Sequence, residues 1–340
     1  MQTEDDKFYV PGLMDLSSYR LEKAELNEEW DTFVDEAEQG TVFSQRPFIE
    51  ALDRPVALWR CLKKNEPKAV IALTLSENGR QAIHSGLLVY NGILFARPDV
   101  NQSPAQIASE EFRITSFIIN ELSEMYEQVA FATHPTFRDM RPFTWFNYGE
   151  KGPHFDLSLR YTTVLDLAGE LPSPLDDSAV YHRLNKSRRQ EIRYARKENI
   201  KTVETDDIDQ FTQLYELTFE RQSLEVPAGE LKSITASLEN LASQGKLKLF
   251  ASSTEGGAVG SMAAFALDRK RAYFAFGANH PDARDSYTGT MVLWHAFDRL
   301  KSSGVSEIDL EGVNSPTRGY FKMSFGGKLL PYYIVSLPAA

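Results

Sequence analysis

Between Lys246 and Ala278 the chain sorts into three strand-like runs, KLKLFASS (246–253), AVGSMAAFAL (258–267) and RAYFAFGA (271–278). The gaps between them, Glu255-Gly256-Gly257 and Asp268-Arg269-Lys270, are short and rich in turn formers. Gaps of that kind join antiparallel neighbours, so two hairpins in succession are predicted. The period then changes. Met291, Trp294, Phe297 and Leu300, with Leu293 and Ala296 beside them, fall at helical spacing and predict a helix over 289–302. Gly304 stands where a helix commonly ends. Val305–Leu310 and Leu330–Leu337 read as further strands with an irregular segment between them.

The first half repeats this order more faintly. Val56–Leu62, Ala69–Leu75 and Gly86–Phe95 read as strands, Ala105–Ser123 as a helix and Gln128–Thr133 as a strand. The helix carries Ile107, Ile114, Phe117, Ile118 and Leu122 on one side. No residue-level identity links the halves; the order of elements alone repeats. Tyr161–Leu167 is strand-like, and the Pro- and acid-rich stretch 169–177 after it reads as a linker. The expectation is therefore an α+β protein of two modules, residues 1–168 and 169–340, each a mixed, mostly antiparallel sheet flanked by helices. A length of 340 residues agrees, being more than one core usually spans.

Charge narrows the partners. There are 37 basic and 48 acidic residues, a net of −11, which disfavours non-specific DNA binding. The single cysteine, Cys61, excludes an internal disulfide and a Cys-rich zinc site, and its apolar surroundings mark it as a small buried residue. The six histidines have no metal-ligand spacing, so no metal is expected. No run approaches ~18 apolar residues and no signal peptide opens the chain, which points to a cytoplasmic protein without a transmembrane segment. Dinucleotide-binding, P-loop, nucleophile-elbow and zinc-protease motifs are all missing.

Against the acidic background, residues 181–200 hold seven Lys or Arg and two Glu. On one helix, His182, Lys186, Arg189, Arg193 and Lys197 would share a side. The plain reading is a solvated face; the functional one is a phosphate-rich ligand such as a nucleotide tail, coenzyme A or a tRNA acceptor stem. A second phosphate candidate is the loop Asp282–Thr290 feeding the predicted helix. Its first-turn N–H groups point outward, Ser286, Tyr287, Thr288, Gly289 and Thr290 form the approach, and Arg284 adds charge. An ordinary Ser/Thr-capped helix would look the same.

The order of strands and helix in the second half, with Tyr287-Thr288-Gly289-Thr290 before the helix, resembles the GNAT acyltransferase fold. Further segments resemble its FemAB-like branch, which uses two such modules in tandem. They are Lys186-Ser187-Arg188-Arg189 with Ile192-Arg193, Thr218-Phe219-Glu220-Arg221 ending a helix begun near Ile208, and Asp309-Leu310-Glu311-Gly312. Gly319-Tyr320-Phe321-Lys322 with Phe325-Gly326-Gly327, and Thr41-Val42-Phe43-Ser44-Gln45 with Phe48, complete the set. Two features depart from that branch. No long charged hairpin for tRNA contact is present, and Glu50, Ala51 and Leu52, not a lysine, follow Phe48.

The resemblance implies N-acylation: an acyl group passes to an amine on a cell-envelope or nucleotide-sugar precursor. The donor it implies is acyl-CoA as cosubstrate, with no permanently bound cofactor. An aminoacyl-tRNA donor, and with it a tRNA contact, is the alternative; a ligand-binding module without catalysis is the third reading. By the same resemblance Lys322 stands near the reacting carbonyl, and Arg221, Lys186, Arg189, Arg193, Tyr320 and Phe321 hold the acceptor. The donor falls to Arg284 and Ser286–Thr290. Asp309 and Glu311 stand where a proton acceptor is needed, although turn and cap carboxylates would look alike. A monomer and a homodimer both suit paired modules.

Overall fold

The computed structural model describes residues 16–169, 174–220, 228–283 and 286–339. The chain divides into two compact units. The first takes residues up to Gly40, Arg54–Ser158 and those from Tyr333 onward; the second takes Thr41–Asp53 and Leu159–Tyr332. Each unit is thus assembled from separated stretches of chain.

The first unit contains β1 (Tyr19–Lys23), α1 (Glu28–Glu36), β2 (Val56–Lys63), β3 (Glu66–Leu75), β4 (Gln81–Ile83) and β5 (Leu94–Phe95). The short helix α2 (Arg46–Ile49) belongs to the second unit's stretch 41–53. Then follow α3 (Pro104–Met125), β6 (Gln128–Ala132), α4 (Arg141–Trp145) and the start of β7 (Asp156–Asp166). β1 to β4 pair antiparallel in order, β6 lies parallel to β4, and Ile334–Leu337 pair antiparallel with β6. A parallel neighbour requires a crossover, and α3 supplies it. Ser103 and Gln106 cap that helix reciprocally, with Pro104 at its first turn. Its Ile114, Phe117, Ile118 and Leu122 pack on Ile71, Leu73, Val129 and Phe131 of the sheet. Each such burial contributes about 1.5–3 kcal/mol.

Gly86–Phe95, expected as a strand, is one only at Leu94–Phe95. Leu88, Tyr90 and Ile93 are buried all the same. The side chain of Asn91 takes over the role of a ladder, accepting from Ala132 N (3.0 Å) and donating to Ala72 O (3.4 Å). Burial without strand geometry is affordable only with such substitute partners.

The second unit repeats the plan. After α5 (Ala179–Arg183), α6 (Lys186–Lys197), β8 (Lys201–Thr205), α7 (Ile208–Glu220) and α8 (Ala228–Ser243) come β9 (Leu247–Ser253), β10 (Val259–Leu267) and β11 (Arg271–Asn279). The chain closes with α9 (Thr288–Ser302), β12 (Glu307–Asp309), α10 (Pro316–Met323) and β13 (Lys328–Leu337). β8 to β11 pair antiparallel in turn, β12 lies parallel to β11, and β7 pairs antiparallel with β12. Four antiparallel strands, a crossover helix and a parallel strand therefore occur once in each unit.

Two expectations change here. The segment read as irregular holds α10, which begins at Pro316 and contains Gly319; both residues disguise a helix in sequence. The basic run is two helices, because Asn185 breaks from the first and caps the second, its side chain accepting from Arg188 N at 2.8 Å. His182 consequently does not share a helix with Lys186, Arg189, Arg193 and Lys197.

Candidate active site

β12 and β11 are partners over three residues only, Arg271, Ala272 and Tyr273 facing Glu307, Ile308 and Asp309. Beyond Tyr273 a bulge follows: Phe265 faces Phe274 and Ala264 faces Phe276, leaving Ala275 as the extra residue. A bulge sharpens strand twist and bends the strand. β12 ends at Asp309 while β11 runs on to Asn279, so this side of β11 has no ladder partner from Phe274 onward among the described residues. Strand N–H groups at such a split can bind a carbonyl oxygen.

The mouth of the split is charged. Asp309 is buried, and its Oδ1 accepts from Thr162 Oγ1 and from Glu311 N, the latter at 2.7 Å. It is the cap carboxylate that holds the turn. Glu311 takes the left-handed backbone conformation at φ 57°, unusual for a residue with a side chain. The residue is 8% exposed, and its Oε1 has no hydrogen-bond partner. Lys322 Nζ donates to Gly312 O at 3.4 Å and lies 5.4 Å from the centre of the Phe274 ring. Burial raises the Glu311 carboxyl well above its ordinary 4.5, with Asp309 adding and Lys322 opposing. Burial likewise lowers Lys322, against the pull of Glu311 and Asp309. Burial thus disfavours the charge on each group, and the opposite charge of the other favours it. Tyr215 stands edge-on to Phe276 (6.2 Å, 88°), and burial pushes its hydroxyl up to about 12.

Lys322 is held in place from behind. Any side chain at Gly319 would bring Cβ to 2.6 Å from Val313 O, so only glycine lets α10 seat on the loop after Glu311. Gly327 is equally confined, by Thr163 and Val164 of β7. Arg188 of α6, 5% exposed, lies across Phe321 (4.5 Å to the ring centre) and Phe325 (5.3 Å). Its Nε donates to Ser324 Oγ at 2.9 Å, and its Nη1 donates to Thr290 Oγ1 and Glu191. One guanidinium therefore ties together α6, the start of α9 and the helix bearing Lys322.

The start of α9 is built inward. Tyr287 caps it in the left-handed conformation (φ 60°). Thr288 is fully buried with Oγ1 2.9 Å from both Ser261 and Ser286 hydroxyls, and Thr290 Oγ1 donates to Glu191 Oε2 at 2.5 Å. These hydroxyls serve the fold and Thr290 N donates to Tyr287 O at 3.2 Å, so the N–H groups at the start of the turn, those of Thr288 and Gly289, are the ones an anion could use. Gly289 has Asn279 Oδ1 3.3 Å from where a Cβ would be.

Of the other residues singled out in sequence, Arg221 and Arg284 lie outside the described residues. Lys186 and Arg193 are exposed and Arg189 is half-buried. Tyr320 is 67% exposed, whereas Phe321 turns inward beneath Arg188. Arg188 was the residue missed. With Ile192 and Ala195 it makes the buried stripe of α6, at offsets 0, 4 and 7, a signal that the charge count conceals. His295 packs edge-on to Phe250 at 6.1 Å, and burial lowers its pKa. Among the described residues no group of three or more His, Cys, Asp or Glu could hold a metal, and no helix is long and apolar enough to cross a membrane.

Residues 183–322 match the family model described as acetyltransferase (GNAT) domain. No curated protein matches the sequence. Among solved structures, FemX is similar at 12% identity and TM-score 0.64, over 92% of this chain and 96% of that one. A tandem GNAT protein from the clavulanic acid biosynthesis pathway is similar at 11% identity and TM-score 0.52, over 95% and 99%. L-PGS from Bacillus licheniformis is similar at 10% identity and TM-score 0.54, over 93% of each chain.

Proposed function

From a chain that carries a GNAT domain within a tandem GNAT fold, we infer an N-acyltransferase whose reaction takes place at the split between β11 and β12. The observation that carries this reading is the buried, partnerless Oε1 of Glu311 opposite Lys322, at the point where β11 loses its neighbour.

The donor carbonyl would lie against the free edge of β11. The acceptor enters as an ammonium, and Glu311, its pKa raised by burial, takes one proton to leave the free amine. The nitrogen then attacks the carbonyl carbon. Charge gathering on the carbonyl oxygen is met by β11 N–H groups and by Lys322 in its ammonium form. Collapse breaks the bond to the donor's sulfur or oxygen, the extra proton on the attacking nitrogen passes to that leaving group, and the amide remains. No covalent enzyme intermediate is required.

Acyl-CoA is the donor preferred here, since the first turn of α9 offers backbone N–H groups to a pyrophosphate. An aminoacyl-tRNA donor is favoured instead by the exposed cations Lys186, Arg193, Arg196 and Lys197 of α6. An amine on a cell-envelope or nucleotide-sugar precursor is the acceptor class we carry forward. The test is transfer of labelled acetyl from acetyl-CoA, and of a labelled amino acid from charged tRNA, to an amine panel with and without ribonuclease. Transfer that survives ribonuclease supports the thioester; transfer that ribonuclease abolishes supports tRNA. No transfer from either donor overturns the assignment as an enzyme.

A further inference from the structure

β7 carries a second buried polar atom without a partner, on a side chain of opposite sign to Glu311. Arg160, on β7, has its Nε buried and without a hydrogen bond. Arg160 and Thr162 are two apart on one strand and so share a face, the face from which Thr162 donates to Asp309. The loop after Glu311 is fastened there: Val313 N donates to Tyr161 O at 3.0 Å, and Asn314 exchanges bonds with the Tyr161 backbone at 2.8 and 3.1 Å. Tyr332 is buried, and its hydroxyl is raised by burial and by Glu311 and lowered by a hydrogen bond with Asn314 and by Arg160. On α10, Arg318 is one turn before Lys322 and exposed.

A carboxylate oxygen without a donor and a guanidinium N–H without an acceptor are each costly when buried, and linked through Thr162 and Asp309 they form the complement of a molecule bearing both charges. We propose that the acceptor is an amine that carries its own anionic group, a carboxylate or a phosphate. Its ammonium faces Glu311 and its anion is held by Arg160, with Arg318 at the rim. This rests on the acyl-transfer reading for the role of Glu311, but the recognition of two charges can be measured without turnover. Guanidinium suits either anion.

The experiment uses paired acceptors that differ only in the anion: L-lysine with cadaverine, L-phenylalanine with phenethylamine, and glucosamine 6-phosphate with glucosamine. Each is tested with the wild type, Arg160→Gln and Arg160→Lys, for kcat/KM in acylation and for thermal stabilisation without donor. The wild type should prefer the anionic member of at least one pair, and which pair responds distinguishes carboxylate from phosphate. Arg160→Gln should lower kcat/KM for that member about 10- to 100-fold, the range of a hydrogen bond to a charged group, and spare its uncharged twin. Arg160→Lys should restore part of the loss. No preference in the wild type for any anionic member, or an equal loss on both members of the preferred pair, would overturn the proposal. If no amine is acylated, the enzymatic reading fails by itself, and the stabilisation arm then decides: anion-selective stabilisation lost in Arg160→Gln supports the two-charge pocket, and its absence overturns it.

Discussion

Arg188 lies flat over Phe321, its guanidinium carbon 4.5 Å from the ring centre, one residue before Lys322 in the chain. The same guanidinium reaches Ser324, Thr290 and Glu191, so a cation that sequence places among solvated neighbours is the brace of the candidate site. Removing one member of a buried ionic pair commonly costs 3–5 kcal/mol. Glu191 keeps part of its carboxylate in water, so Arg188→Ala should cost about 3 kcal/mol in urea unfolding. Arg189→Ala, on a half-buried neighbour, should cost under about 0.5 kcal/mol. Equal effects at the two positions would remove the distinction drawn between them.

Gly319 permits the contact between α10 and the Val313 carbonyl. Gly319→Ala must push the helix outward, moving Lys322 from Gly312. We expect a stability loss of about 1–3 kcal/mol, as for overpacking, together with reduced acyl transfer. Full activity in a folded Gly319→Ala protein would mean that the placement of Lys322 does not matter.

Lys322 opposes the rise in the Glu311 pKa, so Lys322→Met should let that carboxyl titrate higher still. The acid limb of kcat/KM against pH then moves to higher pH. Stability has its own sign. A carboxyl whose folded pKa exceeds its unfolded value, near 4.5, stabilises while protonated, and that contribution is lost as pH rises through the folded pKa. Lys322→Met should therefore weaken with rising pH relative to the double variant Lys322→Met with Glu311→Gln, by urea midpoint. A flat difference between the two would place the Glu311 carboxyl at an ordinary pKa.

Burial pushes the Cys61 thiol up to about 12. In the folded protein it should resist iodoacetamide at pH 8 and react only at the rate of unfolding. Rapid native-state labelling would contradict its place in the first core.

Hairpins β9 to β11 and helix α9 are legible in sequence because their periodicity is uninterrupted and their turns use turn residues. The Asp309–Gly312 and Gly319–Gly327 segments are legible as motifs, but not the reason for them, which is the fit of two glycines against backbone and side-chain atoms of β7 and the 312–314 loop. β8, α8 and α10 were not foreseen. Polar residues dominate β8, and α10 starts at a proline and holds a glycine. Nor does sequence reveal that Thr288 and Thr290 turn inward, since hydroxyls that cap, pack or bind phosphate are the same letters. The partnerless atoms of Glu311 and Arg160 exist only in three dimensions, where β7 is fastened to the loop after Glu311.

The central claim is that Glu311 accepts the proton of the attacking amine. Its most direct test is kcat/KM for amine acylation against pH, in the wild type and in Glu311→Gln. The account predicts a wild-type rate that rises through an ionisation above 4.5, and a variant about 10²- to 10⁴-fold slower that lacks this limb. A Glu311→Gln enzyme that keeps the wild-type rate and the same limb would contradict it.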